Sequence, residues 1–151
     1  MSNLFEQDIK ESCEGLNIWY RRLRDMNMYK GSSSPFDYLC WFDEVPLLLG
    51  IECKMLRERK GYNPKSLPFS NVSEDQREGL LEFNQKENSK GYLLVNFRYF
   101  KGKGRTFAVT IGEFIYLEQS LERKSIPLDY FINNTVELPR LNKGWDLRKL
   151  I

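Results

Sequence analysis

The sequence predicts an α/β fold in which helices flank a mixed central β-sheet. Apolar residues recur at helical spacing near the N-terminus and again later, and the segments between them alternate or run continuously apolar as strands do. The predicted order is α, β, β, β, α, β, β, α and then a tail. The 151 residues are enough for a sizeable core, and no segment indicates a second domain, so residues 1–151 are predicted to form one domain.

The first half supplies one helix and three strands. Residues 3–15 are predicted to form a helix, because apolar side chains recur there at helical spacing. The stripe consists of Phe5, Ile9, Cys13 and Leu16. Residues 17–24 alternate as a strand, and residues 25–35 end in Gly-Ser-Ser-Ser-Pro, which predicts a loop. Residues 36–42 and 47–55 are the two central strands, and the short Asp-Glu-Val-Pro connection between them predicts a hairpin.

A basic loop and a second helix follow. Residues 57–71 are rich in Gly, Pro, Asn and Ser, which predicts an extended loop. Ser73, with Gln76 three positions later, forms a capping-box signal for a helix start. Gly91 is predicted to end this helix.

The last third contains two strands, two helices and a tail. Strands are predicted at residues 92–99 and 105–111, joined by a Gly-Lys-Gly turn, and a helix at residues 112–122. Pro127 is placed to open a short helix that runs to residue 133, because proline is favoured at the first helical position. Residues 136–151 give mixed signals and are predicted to pack along the domain edge.

The composition removes several kinds of chemistry. The chain contains no histidine, which excludes Ser-His and Cys-His nucleophilic schemes and the usual zinc sites. Cys13, Cys40 and Cys53 have no paired spacing, so we expect buried free thiols in a reducing cytoplasm. The longest apolar stretch, Val45–Ile51, is too short to span a bilayer, and no signal peptide is evident. A cytoplasmic location is therefore expected.

The positive charge is clustered rather than general, since the net charge is only +2. Each basic run alone is typical of a solvated face, but several runs beside an acidic site suit a polyanionic substrate. The three groups are Arg21, Arg22 and Arg24; Lys54, Arg57, Arg59, Lys60 and Lys65; and Arg98, Lys101, Lys103 and Arg105.

The main candidate site is an aspartate on one central strand and a Glu-Cys-Lys sequence on the next. Glu52 and Lys54 are two residues apart and share a face, whereas Cys53 points into the core. If the hairpin aligns, Asp37 and Glu52 converge. Two carboxylates with the backbone carbonyl of Cys53 suit Mg²⁺, and Lys54 would orient water or stabilise charge. The pattern alone is weak, and a salt bridge at a strand end also explains it.

Two further residues have two interpretations each. Glu6 lies at the border of the apolar stripe of the first helix, where it is either a further or water-mediated metal ligand or a first-turn acid that favours the helix dipole. Gln76 is either only the capping partner of Ser73 or a residue that reaches the site. Glu11 points away from the stripe and should be solvated.

An ordered set of motifs carries a family resemblance. FEQDIKES, SPFDYL, GIECK, SLPFSNVSEDQREGL, GYLLVNFR and RKSIPLDY occur in this order along most of the chain. With them, the chain resembles the PD-(D/E)xK nuclease superfamily, and more closely the RecU-type Holliday junction resolvases, in particular the shorter phage-type members. The resemblance implies a restriction-endonuclease-like core and catalytic roles for Glu6, Asp37, Glu52, Lys54 and Gln76.

The resemblance also implies a substrate, a cofactor and an assembly. It implies Mg²⁺-dependent nicking of four-way DNA junctions by a homodimer, with Mn²⁺ as a substitute and roles in DNA recombination and repair. We expect sequence-independent phosphate contacts from Arg57, Lys60, Lys65, Arg98, Lys101 and Lys103.

One departure leaves the substrate more open than the chemistry. Longer RecU proteins insert a stalk before the catalytic aspartate, whereas here only residues 25–35 occupy that place, with a protrusion at residues 26–34. Two alternatives therefore stay open: a restriction-like or repair nuclease on the same fold, and a DNA-binding module without catalysis.

Overall fold

The computed structural model describes residues 3–23 and 35–151, in which a six-stranded mixed sheet separates two layers of helices and turns. The helices are α1 (Leu4–Leu16), α2 (Glu74–Asn84), α3 (Ile111–Ser120) and α4 (Leu128–Asn134). The strands are β1 (Trp19–Arg22), β2 (Tyr38–Phe42), β3 (Leu47–Leu56), β4 (Ser66–Pro68), β5 (Ser89–Phe97), β6 (Arg105–Thr110), β7 (Ser125–Pro127) and β8 (Val136–Leu138).

The central sheet has the order β1-β2-β3-β5-β6-β8. Strands β3 and β5 are parallel and α2 connects them, while the other neighbours are antiparallel. The predicted hairpin of the two central strands is confirmed, with Tyr38 opposite Ile51. Strands β4 and β7 form a separate antiparallel pair. Within the described ranges, no helix has the length and apolarity needed to cross a membrane.

Each face of the sheet covers its own apolar core. On one face, Phe5 and Ile9 of α1 pack with Ile51 and Cys53 of β3. On the other face, residues of α2, α3 and α4 pack with Leu56 and the alternate residues of β5 and β6. Strand alternation therefore sends Glu52 and Lys54 toward the α2 face and Cys53 toward α1, as predicted. All three cysteines are buried and free, which confirms the prediction of buried free thiols.

Several sequence-based boundaries need correction. Gly91 does not end α2, because the helix stops at Asn84 and Gly91 lies inside β5. Residues 57–71 are not a continuous loop, since they contain β4 and a 3₁₀ turn at Phe69–Asn71. Pro127 is the N-cap of α4 rather than its first residue. The predicted protrusion at residues 26–34 lies outside the described residues.

The tail is more deeply integrated than its sequence suggested. Strand β8 pairs with β6 and extends the sheet. Trp145 and Leu147 are buried in the core on the α1 side. The backbone N–H of Trp145 donates to Ser12 Oγ at 2.7 Å, and the Ser12 hydroxyl donates to the backbone carbonyl of Asp8 at 2.7 Å. The tail thus holds α1 against the sheet.

A pair of glycines lets α2 approach the sheet closely. Gly50 of β3 lies opposite Gly91 of β5. A Cβ atom on Gly91 would lie 2.8 Å from the Leu80 carbonyl oxygen of α2, and one on Gly50 would lie 2.9 Å from the rings of Phe36 and Phe83. Any side chain at either position would push α2 away from the strands that it covers.

We predict that Gly91→Ala lowers the free energy of unfolding by about 2 kcal/mol, because the new methyl group overpacks the contact with α2. Urea denaturation monitored by circular dichroism would measure this loss. Gly112→Ala is the matched control, since a Cβ atom there meets nothing within 4 Å. Equal stability of the two variants would contradict the close approach of α2.

Candidate active site

Asp37 is held across the hairpin immediately before β2. Its N–H donates to the Ile51 carbonyl at 2.9 Å, and its Oδ2 accepts the Cys53 N–H at 2.8 Å. These two bonds fix both the backbone and the carboxylate of Asp37 against β3. The carboxylate therefore lies beside Glu52, which follows Ile51 on the same strand.

Glu52 is a buried acid with two polar partners. It is only 3% exposed, and its Oε2 lies 3.3 Å from Lys54 Nζ and accepts from Gln76 Nε2 at 3.0 Å. Buried carboxylates require such partners, because an isolated charge is strongly disfavoured in the protein interior. The convergence of Glu52 and Lys54 on one face follows directly from their two-residue spacing.

Gln76 links the acid and the lysine through one side-chain amide. Its Oε1 accepts from Lys54 Nζ at 3.0 Å and from the Ser73 N–H at 3.0 Å, while its Nε2 donates to Glu52. The reverse amide orientation would place an NH₂ group against two donors, so the hydrogen bonds select this orientation. Gln76 is therefore both the capping partner of Ser73 and a member of the site, which combines the two interpretations of the sequence.

Glu6 reaches the same place from α1. It is buried, and its Oε2 accepts the Asn3 N–H at 2.7 Å, which completes a capping box at the start of α1. Arg22 of β1 lies 3.6 Å from the same oxygen. The Tyr38 hydroxyl donates to the Glu6 carbonyl at 2.9 Å. Glu6 is thus a first-turn capping acid and also a neighbour of the Asp37 carboxylate.

The carboxyl groups of the site repel one another in a poorly solvated space. Burial, together with the nearby charge of Glu6, raises the pKa of Asp37 to about 6 against the lowering effect of the Cys53 N–H. Burial and the charge of Asp37 raise the pKa of Glu52 to about 8, although Lys54 acts in the opposite direction. A positive charge bound between these two acids would relieve both the repulsion and the loss of solvation.

The donor set fits a hard divalent cation. Among residues 3–23 and 35–151, no group of three or more His, Cys, Asp or Glu side chains is placed to hold a metal ion. Asp37 and Glu52 nevertheless offer two adjacent carboxylates, and the Cys53 backbone lies between them. Mg²⁺ suits such a site, because it prefers oxygen ligands and keeps several of its own waters.

The basic residues expected to contact phosphate divide into two groups. Arg57, Lys60, Lys65 and Lys101 are exposed and lie within 4 Å of no carboxylate in the described part of the chain. Arg98, by contrast, pairs with buried Asp8 of α1, and Lys103 lies 3.4 Å from Asp8 and 3.5 Å from Glu11. Glu11 is exposed apart from this contact, as expected.

Comparisons with known proteins identify the fold. No protein-family model matches the sequence, and no curated protein matches it. Among solved structures, the chain is similar to Hjc, a Holliday junction resolvase from the archaeal hyperthermophile Archaeoglobus fulgidus. The two share 20% sequence identity with a TM-score of 0.52, and the match covers 88% of this chain and 93% of Hjc.

The chain has the fold of this resolvase. The expected restriction-endonuclease-like core, a mixed sheet between helices, is thereby confirmed. At this identity the likeness to Hjc concerns the fold alone.

The sequence interpretation missed the residues that hold Glu6 and α1. Arg22 and Tyr38 contact Glu6, and Asp8 anchors Arg98. Asp8 gave one usable signal, because it is an acid next to Ile9 on the apolar stripe of α1. The hydroxyl of Tyr38 gave none, since an aromatic residue in a buried strand is fully explained by packing.

We predict that the metal-free protein loses stability as the pH rises from about 4 to 8. Folding raises the pKa values of Asp37 and Glu52, so the folded state binds more protons than the unfolded state within this window. Glu52→Gln should remove the larger part of this loss and stabilise the protein at pH 8 by on the order of 3 kcal/mol. Chemical denaturation in EDTA at pH 5 and pH 8 measures both effects.

Exposed Glu122→Gln is the control for the pH experiment and should retain the wild-type dependence. Mg²⁺ should raise the stability of the wild type at pH 8, because a ligand that binds only the folded state stabilises it. An identical pH dependence for Glu52→Gln and the wild type would contradict the buried acid pair.

Proposed function

We propose that the protein is a Mg²⁺-dependent, structure-selective DNA endonuclease that resolves four-way junctions by paired nicks. The observation that carries this proposal is the hydrogen-bonded set of Glu52, Lys54 and Gln76 beside Asp37. Two buried acids and a lysine are the groups that metal-assisted phosphodiester hydrolysis requires. Their position on a fold shared with a Holliday junction resolvase supports a junction as the substrate.

The residues of the site have distinct proposed roles. Asp37, Glu52 and the Cys53 carbonyl would hold the cation, and Glu6 would act directly or through water. When bound, Mg²⁺, or Mn²⁺ in its place, would polarise the phosphate and activate water for attack. Lys54 would orient the attacking water or stabilise negative charge at the phosphate. Gln76 would hold Lys54 and Glu52 at a fixed separation.

The surroundings supply positive charge for the DNA backbone. We propose phosphate contacts from Arg57, Lys60, Lys65 and Lys101, which lack acidic partners among the described residues. Arg98 and Lys103 are weaker candidates, because their charge already faces Asp8. A homodimer would match the near two-fold symmetry of a junction and would place one site on each of two strands. Such an activity would serve DNA recombination and repair. It would act in the cytoplasm, which would be the host's cytoplasm if a phage encodes the protein.

We predict that Asp37→Ala and Glu52→Ala abolish cleavage of a synthetic four-way junction but retain its binding. Asp37→Asn is the sharper variant, because it removes the charge while keeping an acceptor for the Cys53 N–H. We expect a rate loss of at least about 100-fold for each variant, since each loses a metal ligand. Gel-based cleavage with Mg²⁺, mapped nick positions and fluorescence anisotropy in EDTA would measure these effects.

The same assay separates the alternatives. Glu122→Gln should cut as the wild type does. Preference for a linear duplex over a junction of the same sequence would favour a restriction-like or repair nuclease. Mg²⁺-dependent cutting that persists in purified Asp37→Ala would overturn the site assignment. DNA binding by the wild type without any cleavage would favour a non-catalytic module. Analytical ultracentrifugation would test the dimer.

A further inference from the structure

The hairpin formed by residues 57–65, directly after β3, presents an aromatic ring on a rigid turn. Arg59 and Tyr62 exchange two backbone hydrogen bonds of 2.8 Å each. Lys60 and Gly61 between them have φ values of 50° and 77°, the left-handed pair that a two-residue hairpin turn requires. The Tyr62 side chain is 67% exposed, so its ring is held at the surface by an ordered backbone.

The hairpin carries an excess of unpaired positive charge. Arg57, Arg59, Lys60 and Lys65 are exposed, and in the described ranges none of them lies within 4 Å of a carboxylate. Glu58 is the only acid between them. Several other basic side chains of the described chain do have acidic partners, as Arg77 has Glu118. The hairpin is therefore suited to a polyanion, because its cations are not already satisfied within the protein.

The hairpin directly follows the end of β3, the strand that carries Glu52 and Lys54. Tyr99 and Phe100 stack with centroids 4.9 Å apart and pack against the core on the α2 face, which is the face of Glu52 and Lys54. Burial, and to a smaller extent the Tyr62 hydroxyl, raise the pKa of Tyr99.

The separation between Tyr62 and Lys54 of the candidate active site corresponds to only a few nucleotides of a DNA strand. Arg59, which pairs with Tyr62, follows Lys54 by five residues, and an extended chain covers at most about 17 Å in that interval. Tyr62 is paired with Arg59 across about 5.5 Å, so its backbone lies at most about 22 Å from that of Lys54. Since successive nucleotides of a duplex strand rise about 3.4 Å, this distance corresponds to about seven nucleotides.

We propose that Tyr62 stacks on an unstacked nucleobase of branched DNA, within about seven nucleotides of the cleaved bond. The cations of the hairpin hold the adjoining phosphates. This inference rests on the proposed nuclease function and names the part of the substrate that the hairpin contacts. A base is the fitting partner, because every base offers a π-face to an aromatic ring and its backbone supplies the negative charge. In the open form of a four-way junction, each base pair at the branch point has a stacking neighbour on one side only, whereas an internal base pair of a continuous duplex has one on both sides.

The test compares Tyr62→Ala and Tyr62→Phe with a matched control. Tyr116 of α3 is 66% exposed, so Tyr116→Ala removes an equally exposed ring elsewhere. Four-way junctions would carry single 2-aminopurine substitutions from the branch point outward, and binding would be followed in EDTA by anisotropy and 2-aminopurine fluorescence. We expect Tyr62→Ala to bind the junction about 10-fold more weakly and to lose the fluorescence change. Tyr62→Phe and Tyr116→Ala should match the wild type.

Three outcomes would overturn the inference for different reasons. If the wild type binds and cuts junctions and Tyr62→Ala matches Tyr116→Ala in affinity and fluorescence, stacking by Tyr62 is wrong while the nuclease function stands. If the wild type neither binds nor cuts any DNA, the proposed function fails and this inference fails with it. Loss of binding in both Tyr62→Ala and Tyr62→Phe would show that the hydroxyl group, not the ring, makes the contact.

Discussion

The burial of Glu52 beside Asp37 is the constraint around which the surrounding structure is arranged. Two carboxylates in a poorly solvated position repel each other, and the raised pKa values of both acids reflect this cost. Each neighbouring contact reduces it: the Cys53 N–H binds Asp37, and Lys54 and Gln76 bind Glu52. Two apolar side chains at these positions would cost less free energy to bury. Two acids buried at such a cost, with strongly raised pKa values, are typical of a functional site.

The two helices that border the site, α1 and α2, both begin with a capping box. In α1 the third helical residue, Glu6, closes a capping box with Asn3, and in α2 the third helical residue, Gln76, closes one with Ser73. Both helices therefore direct their N-terminal ends, where unpaired N–H groups and the positive end of the dipole lie, toward the carboxylates. The capping bonds also restrict the side chains of Glu6 and Gln76 to one orientation, so the bonds that cap the two helices also position both residues at the site.

The sequence predicted those parts of the molecule that depend on local periodicity. The order of the longer helices and strands, the β2–β3 hairpin and the opposite orientations of Glu52 and Cys53 follow from strand alternation and apolar stripes. The β4–β7 pair and the burial of Trp145 were not predictable, because they depend on contacts between segments far apart in the chain. Glu6 and Gln76 stayed ambiguous for a different reason. Each satisfies the local capping rule completely, and only the packing of α1 and α2 on the sheet reveals a second set of partners.

The geometry of the candidate site depends on the small volume of the glycines in β3 and β5 as well as on charge. Gly50 and Gly91 lie side by side under α2, and the helix they admit is the one that delivers Gln76. The distance from the Gln76 amide to Glu52 and Lys54 thus depends on the absence of side chains at the two glycines. A protein engineer could widen the spacing of the polar groups by adding a single methyl group beneath the helix. Such a change would leave every charged residue in place and still act on the chemistry.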